Sequence, residues 1–153
     1  MPGPPTRGRR KRGTQNQAIG RSRGGLTTKI GALVDALGNL IAFVLVPGQR
    51  HDVNLVDKLM NGVAGGAFLG DKAFDANKVR EFLAHNGAEA VIPPRKGTKG
   101  ADSYDREKYK WRHLIENFFC RIKAFRRIAT RYEKTNTCFA AMIYAVTILI
   151  TPF

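Results

Sequence analysis

Acidic residues are scarce in this chain of 153 residues: 12 Asp and Glu stand against 26 Lys and Arg, a formal net charge of +14. An excess of that size calls for an acidic partner, and nucleic acid leads because phosphates attract Lys and Arg and release counterions. A membrane surface fits less well, since it would need a basic amphipathic helix with no better use. Cysteine is nearly absent. Cys120 and Cys138 form no CxxC pair, which argues against a disulfide framework or a structural zinc site and fits a reducing cytoplasm. Long apolar runs are missing too. The longest, Cys138 to Ile150, has 13 residues, too few to cross a bilayer. The basic N-terminus lacks the apolar run of a secretory signal, and no internal repeat is visible. What the chain does have is core-forming material. Hydrophobic residues make up 43% and nine residues are Phe, which excludes a wholly disordered chain and suits one domain.

Residues 1–25 read as a basic disordered leader. They hold three Pro, six Gly and seven Arg or Lys, with no acid, so burial cannot offset the entropy of ordering them. Arg9-Arg10-Lys11-Arg12 could touch phosphates. From Leu26 the pattern changes. Leu26 to Val34 and Leu40 to Val46 flank the turn residues Asp35 to Asn39, which predicts a β-hairpin whose second strand is covered on both faces. Asp52 is expected to cap a short helix to about Met60. Ala67-Phe68-Leu69 forms a third strand with Asp71 beyond its C-terminal end. Asp75 is expected to cap a helix to about His85, closed by Gly87. Ala88 to Ile92 is a fourth strand, ended by Pro93-Pro94 and followed by a basic loop, Arg95 to Gly100. A long helix from about Asp105 to Arg127 and a final apolar helix from about Thr137 to Ile150 complete the chain. The order favours an α/β fold with a mixed sheet flanked by helices. In such sheets chemistry sits beyond the carboxyl ends of strands, where Asp71 lies.

At about 100° per residue, the long helix sorts into two faces. With Tyr109 at zero, Arg112, Glu116 and Lys123 fall within about 60° of it, while Leu114, Phe118, Ile122 and Phe125 lie opposite. Trp111 projects with the apolar stripe, so core packing is expected for it. A Glu on a polar helix face is ordinarily solvated, and Arg112 with Glu116 is an ordinary i,i+4 pair. The company argues for more. Four polar residues of different types align, and a basic loop precedes them. A carboxylate among cations, on a helix packed against a sheet with a second carboxylate, suits phosphoryl transfer.

The spacing Tyr109, two residues, Arg112, three residues, Glu116, six residues, Lys123 resembles the Y-(2)-R-(3)-E-(6)-K signature of DDE transposases of the insertion sequence four and five families. NFFCRIKAFRRIATRYEKT, GRSRGGLTTKIGALVDALGN, VPGQRHD and GDKAFDA resemble blocks of insertion sequence five members, so the likeness spans roughly residues 17 to 150. It implies a ribonuclease H-like fold over residues 26–153 and a catalytic Asp, Asp, Glu triad holding two divalent ions, Mg2+ or else Mn2+. The second Asp of that triad falls on Asp71 and the Glu on Glu116, both as metal ligands. Tyr109, Arg112 and Lys123 would contact DNA phosphates. The implied activity is metal-dependent cutting of phosphodiesters at element ends and strand transfer into target DNA, in the bacterial cytoplasm at the nucleoid. A homodimer is the implied working form, although no residue pattern marks a dimer surface.

One part of the pattern is missing. The family's first Asp belongs to a first strand upstream of GRSRGGLTTKI, yet no acid precedes Asp35. Asp35 sits in the hairpin turn, and capping suffices for Asp52. His51 and Asp52 are adjacent in a loop and seldom chelate as such. The expectation is a downstream-frame or truncated catalytic domain lacking its first strand, with an upstream reading-frame product or a fusion supplying the first Asp. Alone, the chain should bind DNA without cutting it. One alternative is a non-catalytic DNA-binding regulator derived from a transposase. Another is a structural RNA-binding protein, which would give the signature face no purpose.

Overall fold

Thr, Ile and Val in Leu26 to Val34 favour an extended chain, and the computed structural model, which describes residues 17–22, 25–95 and 104–151, has that strand. β2 (Gly25–Val34) pairs antiparallel with β3 (Leu40–Pro47), in a register running from Thr28 opposite Pro47 to Ala32 opposite Phe43. Asp35 closes the hairpin by accepting the backbone N–H groups of Leu37 at 2.8 Å and Asn39 at 2.9 Å. Gly38 supplies the positive φ of 82° that the turn requires. Both faces of β3 are covered, as the pattern predicts. Leu40, Phe43 and Leu45 pack on a core of Phe118, Ile122, Phe139, Ile143 and Val146. Ala42 and Val44 pack with Val46 on Leu55 and Leu59.

Residues 17–22, within the leader expected over residues 1–25, are structured. β1 (Gly20–Ser22) pairs antiparallel with the start of β2. Ahead of it, the Arg131 guanidinium donates to the Gln17 carbonyl at 2.8 Å, the Asn136 N–H donates to Gln17 Oε1 at 2.7 Å, and Ala18 is buried. Those partners, far along the chain, order a stretch whose own composition could not. The Arg9 to Arg12 run and the loop from Lys96 to Gly100 lie outside the described residues.

Asp52 opens a 3-10 turn (Asp52–Leu55) that leads into α1 (Val56–Leu59). It is not the cap. His51 holds that position, and the Asp52 carboxylate is drawn aside by Lys29 Nζ at 2.9 Å. β4 (Ala67–Leu69) pairs parallel with β5 (Glu89–Val91) through α2 (Asn77–His85). Val79 and Leu83 of α2 pack with Phe68, Ile92, Val56 and Met60 over this pair. Gly87, with φ of 67°, lets the chain reverse after α2. Asp75 is not the helix cap either. Ala76 occupies that position, and Asp75 is buried.

Two further expectations need correction. The mixed sheet is, among the described residues, two separate sheets: β1-β2-β3 antiparallel and β4-β5 parallel. The long helix is three: α3 (Arg106–Lys110), α4 (His113–Lys123) and α5 (Arg126–Ala129). Between α3 and α4 the chain tightens. The N–H groups of Trp111, Arg112 and Leu114 bond to the carbonyls three residues back, Lys108, Tyr109 and Trp111. Such turns advance about 120° per residue instead of 100°. Positions before the break are therefore rotated against those after it, and Trp111 is 58% exposed instead of packed in the core. Phe125, in extended conformation, ends α4 and is 37% exposed, so it leaves the apolar stripe as well. α6 (Asn136–Ile150), capped by Thr135, closes the fold and packs Phe139, Ile143 and Val146 against α4 and β3.

Candidate functional site

A cavity of about 610 Å³ lies between the two sheets. Lys29 to Val34 of β2 form one wall, and Gly65 to Asp71, including β4, form another. The break between α3 and α4 supplies the third, with Trp111, Arg112, Ile115, Glu116 and Phe119. Most of the lining is apolar, and the charged side chains are Lys29, Asp35, Asp52, Asp71, Lys108, Arg112 and Glu116.

Of the residues singled out in the sequence, Asp71, Glu116 and Arg112 meet on this cavity. Asp71 follows β4, and its carboxylate accepts the Ala73 N–H at 2.8 Å, which caps the 3-10 turn Lys72–Phe74. Glu116 lies in the first turn of α4 and forms an ion pair with Arg112. Its side chain is 54% exposed and that of Arg112 30%, so the pair contributes little to stability, about a few tenths of a kcal/mol. Its consequence is orientation. Tyr109 lies outside the cavity wall, 5.7 Å beneath the Arg112 guanidinium and edge-on to Tyr104 at 5.4 Å. Tyr109, Arg112 and Glu116 thus form a relay of contacts. Lys123 is not part of it. It is exposed, two turns along α4, over the Phe119 ring at 5.4 Å.

Asp35 and Asp52 also line the cavity, and each is already engaged. Burial pushes the Asp35 carboxyl up, but the N–H groups of Asn39 and Leu37 outweigh it and hold its pKa below the ordinary carboxylate value. Asp52 is held by Lys29, which also donates to the Arg50 carbonyl at 3.0 Å. Carboxylate oxygens are the donors that hard divalent cations prefer. The number falls short: no three His, Cys, Asp or Glu side chains among the described residues gather closely enough to hold a metal ion. The set present therefore does not by itself make a metal centre.

Asp75 is the residue that sequence reasoning missed. One of its carboxylate oxygens accepts Arg80 Nη2 at 2.9 Å, and the other accepts the Arg95 N–H at 2.7 Å. Arg95 in turn donates to the carbonyls of Lys72 at 3.0 Å and Ala73 at 2.8 Å, and Arg80 reaches the Ile92 carbonyl at 3.0 Å. This network ties the turn after Asp71 to the exit of β5. Burial pushes the Asp75 carboxyl up, but the Arg95 N–H and the Arg80 guanidinium prevail and hold it below 3.8. The signal available in the sequence was Arg80, five residues on. A helix-capping position was the nearer explanation.

The family model described as the transposase DDE domain matches residues 1–151. A Brucella ovis protein named as a transposase for insertion sequence element IS6501 is 37% identical over 127 residues, which cover 82% of this chain and 98% of that protein. No solved structure matches the chain. Among the described residues no helix is long and apolar enough to cross a membrane.

Proposed function

We propose, from the premise that this chain belongs to the transposase DDE-domain family and is a transposase, that Asp71 and Glu116 are two of the acids serving phosphodiester cutting and strand transfer at insertion-sequence ends. The observation that supports this reading is that both residues line the same cavity, with Arg112 paired to Glu116 at its wall. The two sheets are then the two parts of one ribonuclease H-like sheet. Family members normally use divalent metal ions. Here Mg2+, or Mn2+ in its place, would be held by Asp71 and Glu116 once a third acid completes the set, and would supply charge stabilisation at the phosphorus. That acid comes from an upstream reading-frame product or a fusion.

The chain's own residues have separable roles. Arg112 holds the Glu116 carboxylate in position and Tyr109 supports Arg112. Arg112 and Lys123 meet DNA phosphates, for which a net charge of +14 provides long-range attraction. A homodimer acting on element ends and target DNA at the nucleoid, in the cytoplasm, completes the reading.

A second reading, a DNA-binding regulator without catalysis, draws on the lack of any three-acid group among the described residues. One experiment separates the two. The purified chain is mixed with DNA bearing element ends and Mg2+ or Mn2+, alone and joined to the upstream segment. Cutting only in the joined form, lost in Asp71→Ala and Glu116→Gln, is the expected result. Cutting by the chain alone would overturn the missing acid, and no cutting in either form would favour the regulator.

A further inference from the structure

A second, smaller recess of about 160 Å³ lies at the end of β3, and the charge on its lining has one sign. Distant parts of the chain build it: Ala18, the end of β3 with Arg50, Asn54 and Lys58 around α1, and Asn136 of α6. Arg50 and Lys58 bring two positive charges, and among the described residues no Asp or Glu lines the recess. The acids nearest to them in the chain, Asp52 and Asp57, do not line it, and Asp52 is held by Lys29 on the large cavity. Neither Arg50 nor Lys58 enters an ion pair among the described residues. Two like charges drawn to one recess repel each other unless an anion sits between them. The backbone that carries Arg50 is fixed in place. Its N–H donates to the Pro47 carbonyl at 2.9 Å and its carbonyl accepts Lys29 Nζ at 3.0 Å. A Cβ at Gly48 would lie 2.0 Å from Thr27 Oγ1, so this turn is pressed onto β2. Arg131 Nη2 donates to Asn136 Oδ1 at 3.1 Å, which turns the acceptor end of that carboxamide toward Arg131.

We infer that this recess binds one phosphate group, with the Arg50 guanidinium and the Lys58 ammonium as its counter-charges and Asn54 and Asn136 beside them. Size sets the ligand. About 160 Å³ corresponds to roughly five waters at about 30 Å³ each, and lies below the roughly 300–1,000 Å³ of sites that enclose a drug-sized ligand. A phosphate group fits, and a whole nucleotide does not. Only the source of the phosphate, a DNA backbone, rests on the transposase reading. Leu55 lines both the recess and the large cavity, so a strand with a phosphate in the recess runs beside the space that Asp71 and Glu116 line. The recess is distinct from the face of Arg112 and Lys123, neither of which lines it.

The test titrates the intact chain, labelled with nitrogen-15, with inorganic phosphate at constant ionic strength. The side-chain NH2 signals of Asn54 and Asn136 should shift and reach half-saturation below about 10 mM. Arg50→Gln with Lys58→Gln, at two exposed positions, should weaken that response at least about tenfold. Lys78→Gln with Arg126→Gln removes the same charge from exposed positions outside the recess and should leave the response within about twofold. No saturable shift up to about 50 mM, or an equal response in the two double variants, would overturn the site. A short DNA duplex should move the same two signals and suppress the phosphate response. Because both cations meet one phosphate, Arg50→Gln with Lys58→Gln should lower the slope of log duplex affinity against log salt by about one. A fall of about two, one for each cation, would overturn the shared site. A phosphate response that the duplex neither reproduces nor suppresses would overturn the DNA backbone as the source. The phosphate site itself would then stand, since no arm of the test depends on Asp71, Glu116 or cutting.

Discussion

Arg80 donates to the buried carboxylate of Asp75 at 2.9 Å and to the Ile92 carbonyl at 3.0 Å, and with the Arg95 N–H on the same carboxylate this ties the chain after Asp71 to the chain after β5. The Asp75 side chain is 6% exposed and that of Arg80 37%. Removing the carboxylate strips the Arg95 N–H and the Arg80 guanidinium of their shared acceptor. Asp75→Ala is expected to lower unfolding stability by about 2–3 kcal/mol, read from the urea midpoint. A variant as stable as wild type would show that the network holds nothing in place.

The same carboxylate sets a pH dependence. Its folded pKa lies below the ordinary 3.8, so its stabilisation is present above that value and is lost as pH falls through the folded pKa. Melting temperature should drop on acidification below about pH 4. Asp75→Asn should start lower at neutral pH and converge on wild type in that acid range. Parallel curves for the two proteins would contradict the assignment.

Lys123 and Arg112 should separate in DNA binding. A lysine that meets one phosphate contributes about one unit to the slope of log affinity against log salt. Lys123→Ala is expected to reduce that slope by about one, whatever the sequence of the DNA. Arg112→Ala should reduce it similarly and, in addition, free Glu116, so cutting by the completed enzyme should fall further than binding. Filter binding across a salt series, beside a cleavage assay, reads both. Equal losses in the two assays would remove the positioning role of Arg112.

Asp52 and Asp71 line one cavity but should respond differently to substitution. The Asp52 charge is already held by Lys29 at 2.9 Å. Asp52→Asn should leave cutting by the completed enzyme within about threefold, whereas Asp71→Asn should lower it by at least about a hundredfold. A large loss in Asp52→Asn would promote it to the missing acid.

Local chemistry made much of the fold legible. The hairpin of β2 and β3 was readable because turn residues from Asp35 to Asn39 separate two β-rich runs, and α6 because of the apolar stretch from Cys138 to Ile150. Caps were less legible. Asp52 and Asp75 have the composition of caps, but Lys29, Arg80 and Arg95 compete for their carboxylates from distant positions. The placement of Trp111 failed for a related reason. An even projection assumes one continuous helix, and the tightened turn before Leu114 breaks the phase.

At the candidate site, the sequence alone determined the types and spacing of the chemistry-bearing side chains. Asp71 after a short strand, and Arg112, Glu116 and Lys123 along one helical face, follow from local periodicity, because residues a turn apart in a helix share a face whatever surrounds them. Tertiary structure decided which of them share a space. It set Asp71, Arg112 and Glu116 on one cavity, left Lys123 outside it, and bound Asp75 into the loop network. Among the described residues it also left β2 beyond Thr27, on the edge away from β3, and β4, on the edge away from β5, without a strand partner. Such relations arise when distant segments pack, and local spacing carries no record of them.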